Sequence, residues 1–267
     1  MARGPMSPAE QVAVITGASS GIGWALAKGL AKRGYAVGLL ARRRDLLEKL
    51  ASEIGAAGGK AAFAPGDVAN RTQIREAIHA LSAELGPVDL LVANAGVGAP
   101  TLIDPVNMGD VEKMVQVNLL GVIYSIDAVL PEMLRRGRGH IAAVSSMASL
   151  KGLPGESAYC ASKAAVNIYM EGLRIQLRNR GIAVTTICPG FVKTPMTEVN
   201  EFHMPFVLDP DAAARRIARA LERRVKVYNF PKRMYYAMRL INLLPDWIIA
   251  RAMNKYNEKP PMPPGPL

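Results

Sequence analysis

Short apolar runs alternate with longer amphipathic ones along most of the chain. Val12–Thr16, Ala36–Ala41, Ala61–Pro65, Val88–Ala93, His140–Ser145, Ile182–Cys188 and Val225–Phe230 are continuous apolar runs of strand length. Between them lie amphipathic stretches of helical period: Gly21–Gly34, Arg44–Ile54, Arg71–Leu85, Asp110–Arg135, Ser157–Arg180 and Asp211–Arg224. A strand apolar on successive residues must be covered on both faces, which parallel sheets require and half-solvated antiparallel sheets do not. Parallel neighbours need crossover connections, and the intervening helices supply them. The pattern therefore predicts an α/β fold, a doubly wound parallel sheet of about seven strands with helices on both faces. There is no internal repeat and no internal boundary, so residues 1–231 read as one unit. A helical extension, 232–256, and a Pro-rich tail, 257–267, follow it.

Composition narrows the class. Half of the 267 residues are hydrophobic, enough for a large core, and only 6% are aromatic, which suits tightly packed helix-on-sheet layers. Cys160 and Cys188 are too few for a disulfide framework and read as reduced, buried thiols. No apolar leader follows Met1 and no run of transmembrane length is evident, so the expectation is a cytoplasmic protein. No metal-ligand spacing is present. The net charge of +11 is uneven: from Arg215 to Lys255 there are eleven Lys or Arg and two acids, Glu222 and Asp246. That asymmetry fits a solvated basic face or an anionic partner. No motif points to nucleic acid.

The first strand ends in Thr16-Gly-Ala-Ser-Ser-Gly-Ile-Gly23 and opens directly into the first helix. Gly17, Gly21 and Gly23 let the backbone approach a pyrophosphate, and the helix N-terminus supplies N–H donors, including that of Ile22, and positive dipole. Ser19 and Ser20 add hydroxyls. At the end of the second strand an acid would select the free ribose of NAD; the chain has Ala41-Arg42-Arg43-Arg44 instead. Guanidinium forks suit phosphate, so NADP is expected, with Arg42 as its 2′-phosphate contact and NAD disfavoured. Asp67, beside Val68 after the third strand, could accept from an adenine amino group. Asn94 and Gly96 follow the fourth strand, where open sheets bind ligands.

Tyr159 and Lys163 stand four residues apart in a helical run, hence side by side on one face. A neighbouring ammonium favours phenolate, which is how a tyrosine becomes an acid and base near neutrality. Ser146 precedes Tyr159 by thirteen residues, with Ser145 as its rival. Together, Thr16-Gly-x3-Gly-x-Gly23, Asp67, Asn94-Ala-Gly96, Asn118, Ser146, Tyr159-x3-Lys163, Pro189-Gly190 and Thr194 resemble the short-chain dehydrogenase/reductase family, in the order that family has them. Ala93, where many members have a second asparagine, is a small departure.

The resemblance implies a Rossmann-type fold and a set of roles. Tyr159 would exchange a proton with the substrate oxygen, Ser146 would donate a hydrogen bond to it, and Lys163 would hold the nicotinamide ribose. Asn118 would hold a water linking Lys163 to solvent. Thr194, beyond Pro189-Gly190, would anchor the carboxamide with the backbone of Val192. A segment at about 195–209 would cover the substrate; its Met196, Phe202, Met204 and Phe206 suggest a hydrophobic or acyl-chain-like carbonyl. The expected activity is NADP(H)-dependent interconversion of a ketone or aldehyde and its alcohol, in a homo-oligomer, dimer or tetramer. A non-catalytic NADP(H) sensor and a membrane-surface scaffold are the alternatives. The basic helices of 232–256 suit a membrane interface, a sister subunit or a roof over the active site.

Overall fold

The computed structural model describes residues 11–198 and 204–253. The strands are β1 (Val12–Thr16), β2 (Ala36–Ala41), β3 (Ala61–Pro65), β4 (Val88–Ala93), β5 (Gly139–Val144), β6 (Ile182–Pro189) and β7 (Val227–Phe230). They form one parallel sheet in the order β3-β2-β1-β4-β5-β6-β7. Its helices are α1 (Gly21–Ala31), α2 (Arg44–Ala56), α3 (Arg71–Leu85), α4 (Met108–Val115), α5 (Gly121–Arg136) and α6 (Ser157–Gln176), then the short α7 (Pro195–Glu198), α8 (Pro210–Glu222), α9 (Lys232–Ile241) and α10 (Asp246–Ala252).

Two cores follow from the strand pleat. Val12 and Val14 point to one face, Ala13 and Ile15 to the other, and both sets are buried. On the first face α3, α5 and α6 contribute Ile74, Leu81, Ile126, Val129, Val166 and Met170. On the second, α1, α2 and α8 contribute Leu26, Leu30, Leu47, Leu50, Ile217 and Leu221. This double burial is why the strands lack polar alternation. The run Met108–Arg136 is long and apolar enough to cross a membrane by length and composition alone, but its Val117, Val122, Ile126, Val129 and Met133 lie in the first core.

Most elements lie where the hydrophobic pattern puts them, and the departures have local causes. The expected helix Asp110–Arg135 is broken by a five-residue π turn, Gln116–Leu120, between α4 and α5. The first helix stops at Ala31 because Gly34, at φ 92°, turns the chain back and lets the Tyr35 N–H reach the Leu30 carbonyl. Val225 is drawn back onto α8, its N–H donating to Ala220, so β7 begins only at Val227.

β1 and β4 are neighbours although β2 and β3 intervene in sequence, so the winding reverses between them. At such a reversal the loops beyond the strand ends part and leave a crevice. The Gly-rich turn follows β1, Asn94–Gly96 follows β4, Ser146 follows β5 and Gly190 follows β6. All four candidate segments therefore meet at one edge of the sheet.

Candidate active site

The Gly-rich turn is shaped by close backbone contacts. A Cβ on Gly23 would lie 2.3 Å from the Gly17 carbonyl oxygen, and one on Gly21 would lie 2.9 Å from Thr194 Cγ2. The turn is thus pressed between α1 and the segment after β6. Ser20 makes no side-chain cap at the start of α1, leaving the helix's first N–H groups for a ligand. Ile22 packs partly against the second core, so its backbone is its contribution to the turn. Ser19 is buried, and its Oγ accepts from Arg43 Nη2 at 2.9 Å and Nε at 3.3 Å.

That contact involves a residue that sequence reasoning passed over. Arg42 and Arg43 are both exposed beyond β2, but Arg43 reaches across to the glycine-rich turn. The two arginines flank the same corner. The run of three in the sequence could not say which would reach the glycine-rich turn.

Asn94 serves the turn as a brace. Its Nδ2 donates to the carbonyls of Thr16 at 2.9 Å and Gly17 at 3.4 Å, while Thr16 Oγ1 accepts from the N–H groups of Asn94 and Ala95. Its amide nitrogen holds the end of β4 to the turn after β1. Asp67 caps its own loop, Oδ1 accepting from the Ala69 N–H at 3.0 Å. Val68 is a core residue by its side chain, buried against Gly121, so only its backbone is placed to line a site.

Beyond β5, Ser145 and Ser146 take different parts. Ser145 is buried and its Oγ donates to the Lys163 carbonyl at 3.0 Å, tying β5 to α6. Ser146 caps a single 3-10 turn, Met147–Leu150, its Oγ accepting from the Ala148 N–H at 3.1 Å. The Ser146 side chain lies near enough to the Tyr159 hydroxyl to favour its phenolate. One turn further along α6, the buried Lys163 donates from Nζ to the Val144 carbonyl at 3.0 Å, and Nζ lies 5.8 Å from the centre of the Tyr159 ring. Serine, tyrosine and lysine thus converge.

Burial acts on both charges. It pushes the Tyr159 phenol up to about 12, against the pull of Ser146, and the carboxylate of Glu156 adds to the rise. It pushes the Lys163 amine down to about 8. The net shift of the phenol is upward because desolvation outweighs the Ser146 interaction. Tyr159 is a protonated phenol at neutral pH, which suits a proton donor.

Asn118 sits in the π turn and is fully buried. Its Oδ1 accepts from the Val97 N–H at 2.8 Å; its Nδ2 donates to the Val97 carbonyl at 2.9 Å and to Ser162 Oγ at 3.0 Å. Ser162 in turn donates to the Tyr159 carbonyl. A Cβ on Gly96 would lie 3.2 Å from both Asn118 Oδ1 and Lys163 Nζ, so glycine there lets the two groups share one space. Both amide hydrogens of Asn118 are spent, so a water relay would use its remaining oxygen lone pair or its main chain. Ser162 links Asn118 to α6 and was not singled out by the sequence, where it is one polar residue within a helix.

Pro189 closes β6, and the Gly190 N–H donates to the Phe230 carbonyl at 2.8 Å. Val192 is buried and bridges to Leu208. The Thr194 N–H donates to Thr197 Oγ1 at 2.9 Å, fastening the start of the covering segment. A Cβ on Gly98 would touch Met196 Sδ and Tyr159 Cδ2 at 3.7 Å, so both side chains border Gly98. Met204 is partly buried, Phe206 is exposed, and Phe202 lies outside the described residues. Cys160 and Cys188 are buried free thiols. Among the described residues no cluster of His, Cys, Asp or Glu could hold a metal.

This convergence of a glycine-rich dinucleotide turn with a Ser–Tyr–Lys group at one sheet edge has counterparts in known proteins. The short chain dehydrogenase family matches over residues 11–203, and the chain belongs to that family. It is 40% identical over 236 residues to an uncharacterized oxidoreductase of Myxococcus xanthus (strain DK1622), covering 88% of this chain and 93% of that one. It is also 40% identical over 229 residues to the glycine betaine reductase ATRR of Emericella nidulans, covering 82% of this chain but 18% of that longer protein. Among solved structures, the alcohol dehydrogenase of the archaeon Thermococcus sibiricus complexed with 5-hydroxy-NADP is 32% identical, with a TM-score of 0.75 over 82% of this chain and 94% of that one. An actinorhodin polyketide ketoreductase with NADPH is 29% identical, with a TM-score of 0.77 over 85% and 97%. The protein is an oxidoreductase of this family, whose members bind a nicotinamide cofactor.

Proposed function

We propose that the protein is an NADP(H)-dependent carbonyl reductase and alcohol dehydrogenase acting on a hydrophobic ketone or aldehyde. The observation that carries this reading is the buried Lys163 amine 5.8 Å from the Tyr159 ring, one helical turn along α6, with Ser146 near the phenol at the end of β5. The residues present fit the cofactor: an uncapped helix start, a turn closed to any side chain at Gly23, and two arginines at the corner beyond β2. Gly17–Gly23 would hold the pyrophosphate, Arg42 and Arg43 the 2′-phosphate, and Lys163 and Thr194 the nicotinamide end. When bound, the cofactor supplies or accepts hydride.

The protein's own part is position and protons. In reduction, Tyr159 gives its proton to the carbonyl oxygen as negative charge develops there, and Ser146 donates a hydrogen bond to the same oxygen. A phenol held near 12 is fully protonated at neutral pH and ready for that step. Lys163, at about 8, remains mostly charged and stabilises the phenolate left behind. Asn118 and Ser162 fix the helix that carries both groups. Met196, bordering Gly98 as Tyr159 does, makes the substrate wall apolar. The absence of an acid beyond β2 and the NADP-type ligands of the two solved relatives support NADP over NAD.

The test is cofactor oxidation over a panel of hydrophobic and acyl-thioester carbonyls, with NADPH run beside NADH. Tyr159→Phe should lower turnover by about 10²–10⁴-fold while NADPH binding persists, the usual worth of a positioned proton donor. Arg43→Ala should raise the KM for NADPH and leave that for NADH unchanged. Undiminished turnover in Tyr159→Phe, or a preference for NADH, would refute the corresponding half of the proposal.

A further inference from the structure

The helices after β7 carry a surface that the redox site does not use. Met238 and Ile249 are buried and anchor α9 and α10 to the body, and Met234 packs where a Cβ on Gly190 would stand, 2.5 Å from its Sδ. The outward side is different. Tyr236, Leu240, Leu243 and Trp247 are 66%, 65%, 79% and 69% exposed. Tyr236 and Leu240 stand one turn apart on α9, Leu243 lies in the turn between the helices and Trp247 in the first turn of α10, so this apolar stripe along 236–247 is shared by two helices and the turn joining them. Around them stand the exposed cations Lys232, Arg233, Arg239 and Arg251. The one acid of these two helices, Asp246, pairs with Lys151 at 3.3 Å.

We infer that this stripe seats the protein on an anionic membrane surface, α9 and α10 lying in the interface with their apolar side chains among the lipids. Three features select a lipid surface over other occupants. Four large apolar side chains left in water on one stripe need cover. Tyr236 and Trp247, apolar rings with polar tips, are side chains favoured at headgroup depth. The surrounding cations complement anionic headgroups. A second copy is a poor occupant, because a two-fold contact through this face would bring its cations against the same cations. The inference does not depend on the redox reading. It has a bearing on it, however: α9 packs against the 3-10 turn that follows Ser146 and against Gly190, so the seated face adjoins the cleft.

Flotation of the full-length protein with vesicles tests this. Phosphatidylglycerol–phosphatidylcholine vesicles should carry the protein, and phosphatidylcholine vesicles should carry much less. Leu243→Ser with Trp247→Ser should weaken flotation by about tenfold or more, as expected when two interfacial anchors are lost. Arg233→Gln with Arg239→Gln should abolish the preference for phosphatidylglycerol. All four positions are exposed, so unchanged circular dichroism melts should show that the variants fold. Failure of the wild-type protein to float would overturn the inference. So would flotation unchanged by the apolar pair, or a drop in sedimentation coefficient in that pair without loss of flotation, which would make the stripe a subunit contact.

Discussion

At the scale of single residues, the charge balance around Tyr159 sets the chemistry. Glu156 lies one turn before it, and burial pushes that carboxyl up to about 7. When ionised, Glu156 raises the Tyr159 pKa and makes the phenol hold its proton more tightly. When protonated, it releases that restraint. Reduction should therefore quicken as the pH falls through about 7, while Lys163 sets an alkaline limb near 8 as it loses its charge. In Glu156→Gln the step near neutrality should vanish and the alkaline limb remain; kcat/KM against pH reads both. Persistence of the neutral step in that variant would exclude Glu156. None of this was legible in sequence. Glu156 belongs to no motif, and its shift comes from desolvation by surrounding parts of the fold. Arg43 was obscured similarly: three successive arginines are chemically alike, and only the packing against Ser19 separates them.

At the scale of elements, the π turn is the departure with functional weight. A periodic apolar pattern from Asp110 to Arg135 cannot reveal a local widening, because the pattern continues on either side. The widened turn carries Asn118 into a three-way bond with Val97 and Ser162, joining the segment after β4 to α6. Such insertions frequently mark working sites. Asn118→Ala would strand the Val97 donor and acceptor and the Ser162 hydroxyl in a closed space. The expected loss is about 2–4 kcal/mol, from the usual penalty for unpaired buried groups. Urea denaturation measures it, and turnover should fall as α6 loses its register. An unchanged unfolding midpoint would show that the bonds contribute nothing. Strands and most helices, by contrast, fall close to their expected bounds, because burial on two faces imposes itself on all of β1 and on all but one residue each of β2 and β4.

At the scale of the molecule, one buried histidine ties the sheet's stability to pH. His140 of β5 lies against Thr185 of β6, Nε2 to Oγ1 at 2.9 Å. The Thr185 hydroxyl donates its own hydrogen to the Val225 carbonyl, so His140 Nε2–H is the donor. Burial and the Arg224 charge lower the His140 pKa to about 4. The unfolded chain therefore binds more protons between about pH 4 and 6.5, and stability from this group falls as pH falls. The loss should be about 2 kcal/mol at pH 5 and about 3 kcal/mol at pH 4. Chemical denaturation of wild type and His140→Gln across that range checks it. The difference between the two should narrow with acid, and a parallel fall in both would assign the effect elsewhere. The same scale decides how the site is assembled: Gly21 touches Thr194 from a segment far along the chain, and Gly190 is roofed by Met234 of α9.

The sequence by itself determined the layers, the strand set, the glycine turn and the Tyr–Lys pair, because these rest on local periodicity, on helical spacing and on backbone room for a ligand. It pointed to Ser146 and to Arg42, but not to the bond of Arg43 with Ser19, and it left open where the long helix widens and what the last two helices cover. Only the tertiary structure decided those matters. Each depends on a partner distant in the chain and on how far burial removes water from a charge, and neither is recorded in the order of residues around the group concerned.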